Sequence, residues 1–157
     1  MDIHNYLIDY DELDWSTVLQ EWTWLLPAEF RVWLLTRTGD LFITIADGSI
    51  HMLDVGAGEL RRVAGSRDEF CVKIDEPGIA QDWLMIPIVD RLVASGAVLA
   101  PGQCYSFRQL PVLGGTYDAD NRMAFGIREH FGGWGSVQRQ ISELPDGSEV
   151  VIKLVGS

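Results

Sequence analysis

The chain is short of cysteine, of basic residues and of long apolar runs, and each shortage removes a class of function. Cys71 and Cys104 are its only cysteines and form no CxxC spacing, which argues against a disulfide framework. Both sit among apolar neighbours and are expected to be reduced and partly buried, behaving as small hydrophobes in a reducing compartment. No apolar stretch reaches the roughly 18 residues a membrane span needs. Met1-Asp2-Ile3-His4 lacks the basic start and apolar run of a signal peptide, so a cytoplasmic protein is expected. Lys and Arg number 12 against 23 Asp and Glu, a formal net charge of −11. Such a field repels phosphate backbones and disfavours direct nucleic-acid binding. Arg61, Arg62 and Arg67 are the nearest approach to a basic patch, but Asp68 and Glu69 follow, so a solvated loop is expected there.

Catalytic signatures are missing as well. His4, His51 and His130 are far apart and none has a metal-ligand neighbour at zinc spacing. There is no GxSxG elbow, P-loop or complete GxGxxG. The chain is therefore expected to bind a partner rather than catalyse, with no cofactor, no metal and no catalytic residue.

What is present fits one folded domain. The 157 residues are 47% hydrophobic and 22% charged, ordinary globular usage. Ser16 is the expected N-cap of a helix through Trp24, with Pro27 ending the pattern, and a second helix is expected over 28–37. Asp47-Gly48 between Leu41–Ile45 and Ser49–Leu53 predicts a β-hairpin. Ser66 and Glu69 have capping-box spacing ahead of a helix. Pro77-Gly78 breaks it, and another helical stretch ends at Gly96, with Pro87 placed to open a new helix. Beyond Pro101-Gly102 the pattern predicts strands at Cys104–Arg108 and Arg122–Phe131, a turn at Gly132–Gly135, a strand around Val137–Ile141 with Gln138 and Gln140 exposed, a turn at Pro145-Asp146-Gly147 and a closing strand Val150–Val155. This is an α+β arrangement: N-terminal helices with a hairpin, then helices on a mainly antiparallel sheet, the second half a meander.

Two groups of residues stand out as candidate sites. Residues 1–30 hold seven acids and no Lys or Arg, interleaved with Tyr6, Tyr10, Trp15, Trp22, Trp24 and Phe30. Aromatics flanked by charge are typical of interface hot spots, and Asp9, Asp11, Glu12 and Asp14 form an anionic patch suited to a basic partner protein. In the C-terminal half, Cys104, Tyr105, Glu129 and His130 are the residues that a small-ligand or enzymatic pocket would use. Continued alternation would put Glu129 on the buried face with Ile127 and Phe131. A ligand sensor or unrecognised enzyme built on them is the alternative function.

Gln103-Cys104-Tyr105-Ser106-Phe107, Pro111-Val112-Leu113-Gly114-Gly115, Tyr117 and Asn121 together resemble the C-terminal domain of immunity proteins that neutralise DNase effectors of type VI secretion. The likeness continues through Phe131, 138–141 and Leu144-Pro145-Asp146-Gly147. Leu26-Pro27-Ala28-Glu29-Phe30, Gly39-Asp40-Leu41-Phe42, Asp47-Gly48 and Leu53-Asp54 are similar to the GAD-like N-terminal part of the same proteins. The resemblance divides a domain of 1–157 into a GAD-like part, 1–65, and an immunity part, 66–157. It implies a cognate toxin as partner and carries over no active-site residues; Leu113-Gly114-Gly115 is expected to fix a tight turn. A second immunity superfamily, which includes yeast cell-wall regulators, has a similar start and is a rival at the level of fold.

Overall fold

A computed structural model describes residues 2–11 and 13–144. Five antiparallel strands form one sheet in sequence order: β1 (Leu7–Ile8), β2 (Phe30–Thr36), β3 (Leu41–Ile45), β4 (Ile50–Asp54) and β5 (Glu59–Ala64). Between β1 and β2 lie α1 (Trp15–Val18) and a 3-10 turn, Gln20–Trp22. Three helices follow the sheet, α2 (Arg67–Ile74), α3 (Ile79–Trp83) and α4 (Ile86–Ala94). A two-stranded ribbon, β6 (Gln103–Phe107) with β7 (Arg122–Gly126), then leads into the long helix α5 (Ile127–Ser142). The α+β class expected from sequence is the one found.

The sheet is covered on both faces, so its inner strands read as near-continuous apolar runs. Leu41 and Ile43 pack with Trp22, Phe131 and Ile127 on one side. Phe42, Ile50 and Met52 pack with Phe70, Trp83 and Leu84 on the other. Phe70 anchors that second layer, its ring 4.9 Å from Trp33 and 5.0 Å from both Phe42 and Trp83.

Several expectations need correction. Residues 28–37 form β2 rather than a helix: the register skips Trp33, and this bulge breaks the period-2 pattern into something helix-like. Arg61 and Arg62 lie in edge strand β5 rather than a loop, with Arg61 3.7 Å from Asp54. Arg67 stacks 4.9 Å over Trp33, so the three arginines make no free basic patch. Cys71 is exposed, because Phe70 and Ile74 take the inner face of α2. The N-cap of α1 is Asp14, whose Oδ1 accepts from Ser16 N at 3.1 Å.

The second half is a ribbon and a helix, not a meander; the meander is in residues 7–64. β7 ends at Gly126, and from Ile127 the apolar spacing is that of a helix, with Ile127 and Phe131 one turn apart on the buried face. Glu129 is consequently exposed, whereas His130 and Gln138 are buried. The expected turn at 145–147 and strand 150–155 lie outside the described residues.

Local readings that held share a backbone cause. Gly48 takes φ +86° in the hairpin turn. Ser66 Oγ accepts from Glu69 N at 3.1 Å, while Glu69 accepts from Gly65 N at 2.7 Å. The tight turn at Leu113–Gly115 has Gly114 at φ +98°, and a Cβ on Gly115 would stand 2.1 Å from the Gln109 carbonyl.

Gly132, Gly133 and Gly135 all lie inside α5, where they weaken the helix. At Gly135 there is a reason: a Cβ would meet Trp22 Nε1 at 2.7 Å, and that indole donates to the Phe131 carbonyl at 2.8 Å. A Cβ on Gly132 or Gly133 would meet nothing within 4 Å. Gly132→Ala and Gly133→Ala should each stabilise by about 0.5–1 kcal/mol in urea melts, the helix-propensity gain. Gly135→Ala should destabilise despite the same gain.

Candidate docking surface

A trough of about 1000 Å³ runs beside β1, lined by three segments: residues 7–11 with Leu13, the loop 99–103, and 126–129 at the start of α5. Each is one step from a shared anchor, the β2–β3 turn. Leu7 pairs with Thr36 at the end of β2. Tyr105, two residues past the loop, donates its N–H to the Arg37 carbonyl at 2.7 Å. His130, next to Glu129, donates Nε2–H to the Gly39 carbonyl at 2.8 Å. The turn thereby sets how the three walls stand to one another.

The N-terminal wall is fixed by aromatics. Tyr10 Oη donates to the Trp33 carbonyl at 2.7 Å, its ring meets Trp15 edge-on at 5.5 Å, and Trp15 meets Phe131 at 6.0 Å. Asp9 and Asp11 line the trough and are exposed. Asp14 is exposed too, and its carboxyl is held below the usual range by hydrogen bonds from Ser16 and Thr17. Glu12 lies outside the described residues. None of the ion pairs among the described residues involves Asp9, Asp11, Asp14 or Glu129.

The four residues named for a possible pocket are dispersed. Cys104 and His130 have no exposed surface. Burial drives the Cys104 thiol well above its ordinary range. Tyr105, on the other face of β6, packs on Val89 and Leu92 of α4. Glu129 alone reaches the trough.

His130 accepts from the Ser106 hydroxyl at Nδ1, 2.7 Å away, because Nε2 carries the proton given to Gly39. Ser106 Oγ in turn accepts from Trp134 Nε1 at 3.0 Å. A serine bonded to a histidine has the outline of an activated nucleophile. Here Ser106 is fully buried and its lone pair is engaged, so this oxygen is out of a substrate's reach.

Beside this chain lies a buried charged group that sequence reading missed. Arg122, a strand residue with 2% exposure, donates to the carbonyls of Tyr117 (3.2 Å), Tyr105 (3.3 Å) and Thr38 (3.4 Å), and its guanidinium sits 3.8 Å over Phe107. Asp40 is also buried; Oδ1 accepts from Val55 N at 3.0 Å and Oδ2 from Thr38 at 3.3 Å. Burial, and then the charge of Asp54, pushes its carboxyl up to about 7, against the pull of Arg122. Burial pushes His130 down to about 4. Among the described residues no cluster of His, Cys, Asp or Glu could hold a metal ion, and no helix is long and apolar enough to cross a membrane.

The fold and the trough do not by themselves name a class, and the comparison with known proteins bears on one segment of the chain. Residues 64–133 match the family model described as T6SS immunity protein Tdi1, C-terminal. Over that segment the chain is similar to the type VI secretion immunity family. No curated protein matches it.

Asp40 and His130 give opposite pH dependences. Asp40, raised when folded, contributes stability that is present below pH 4 and lost as pH rises to about 7. His130, lowered when folded, contributes stability that is present above its unfolded pKa near 6.5 and lost as pH falls to about 4. The two oppose each other between pH 4 and 6.5, and Asp40 acts alone just above. Urea midpoints of the wild type should therefore fall between roughly pH 6.5 and 7.5. Asp40→Asn keeps an acceptor for Val55 and a donor for Thr38, and should abolish that fall while its midpoint rises from pH 4.5 to 6.5.

Proposed function

We propose that this chain is a cytoplasmic immunity protein that binds and neutralises a type VI secretion toxin by occluding its active site. The observation that carries the reading is the match of residues 64–133 to the immunity family. The charge supports a basic partner, such as a nuclease that must hold phosphates with cationic groups: an anionic surface competes for those groups and speeds encounter. On this reading the chain acts without catalysis and without touching nucleic acid, and residues 1–65 are its GAD-like part. The partner-binding residues are Asp9, Asp11, Glu12 and Asp14. Asp9 and Asp11 stand exposed, and no ion pair among the described residues involves them, so a partner's arginines would relieve their mutual repulsion.

The test is expression of the product of the neighbouring gene, with and without the chain. Protection from toxicity and one-to-one co-purification are expected; a harmless effector that does not associate contradicts the reading. Changing the four acids to Asn or Gln should leave the melting temperature unchanged or slightly higher, since Asn also caps α1. It should slow association several-fold at low ionic strength and less in salt. An unchanged association rate would place the interface elsewhere.

A further inference from the structure

We infer that the trough beside β1 is the seat for one extended basic segment of the toxin, carrying at least one apolar residue; this rests on the immunity reading above. Carboxylates stand on two of its walls, Asp9 and Asp11 on one and Glu129 on another. A chain lying between them presents its cations to both sides. Of the two arginines on the lining, Arg37 is turned to the Leu7 carbonyl, its Nε 3.4 Å away. Arg128, the other, makes no ion pair among the described residues, so the three carboxylates of the lining outnumber its two cations and the trough keeps a net negative charge.

The third wall is different in kind. From Val93 to Gly102 the sequence carries no charge. This stretch leaves α4, exposes Val98 at 80% and enters the trough as Leu99, Ala100 and Pro101. An apolar lip facing carboxylates selects an amphipathic segment over a plain polycation, whose lysines would leave that lip wet. At about 1000 Å³ the trough is at the upper limit of small-ligand sites. It is partly open to solvent, which leaves room for several residues of extended chain. Tyr10, Trp15 and Phe131 hold the acidic wall in place before binding, so little ordering is left for complex formation.

The experiment separates this inference from the general one. Purified chain is titrated against the product of the neighbouring gene, carrying a substitution that removes its toxicity, and association and dissociation rates are read at two salt concentrations. Ala100→Trp fills the trough from an exposed position without altering any charge. It should raise the dissociation rate by about tenfold or more, as blocking a central interface pocket does, and abolish protection in cells. Glu129→Gln should slow association at low salt alone. Asp75→Asn with Glu76→Gln, beyond the end of α2, removes two exposed acids elsewhere and should change neither rate beyond a small general charge effect. Equal melting temperatures confirm that the variants fold. If the wild type binds and protects while Ala100→Trp and Glu129→Gln do so equally well, the trough is not the seat and the immunity reading survives. If the wild type does not bind, both fall.

Discussion

Three successive backbone carbonyls hold this molecule together. Arg37, Thr38 and Gly39 leave the end of β2 with their oxygens unused by the sheet ladder. Each meets a donor from the second half: Tyr105 N–H, Arg122 Nη1 and His130 Nε2. Buried carbonyls left unpaired would cost about 1–3 kcal/mol each, so the sheet and the ribbon-helix unit are obliged to meet here. Gly39 makes the closest approach possible. It takes φ +78°, and a Cβ there would stand 2.2 Å from the imidazole nitrogen. All three donors lie within the family-matched segment, while the acceptors lie in the turn before it.

That clasp explains where the trough comes from. β1 is bound to the strand leading into the turn, the loop 99–103 precedes one donor, and the first turn of α5 precedes another. Fixing one turn fixes three walls. The buried titratable groups are built into this arrangement: His130 is held neutral with both nitrogens engaged, and Arg122 spends its donors on carbonyls and an aromatic face. A binding protein gains from such rigidity, because a surface ordered beforehand loses less entropy on association.

The sequence disclosed features whose cause is local. Asp47-Gly48, the Ser66 cap and the Leu113–Gly115 turn each follow from the backbone freedom or hydrogen bonding of two or three residues. It concealed those whose cause is distant. The bulge at Trp33 scrambles the strand period of β2 because of pairing with β3. The glycines of α5 look like a turn until Trp22, over a hundred residues earlier, is seen to need the space at Gly135. Of the trough lining, the acids at 9 and 11 were legible from composition. Glu129 was singled out on a strand reading and reaches the trough from a helix instead. The apolar lip at 99–101 left only the absence of charge as a signal.

The central claim is that a rigid sheet-and-helix scaffold presents this one trough to a toxin. Hydrogen–deuterium exchange of the chain, free and bound to the co-expressed effector, tests it most directly. Binding should slow amide exchange in residues 7–11, 98–103 and 126–129, and leave β5 and the outer face of α2 as they were. Slowing confined to β5 and α2, with the trough unchanged, would contradict the account.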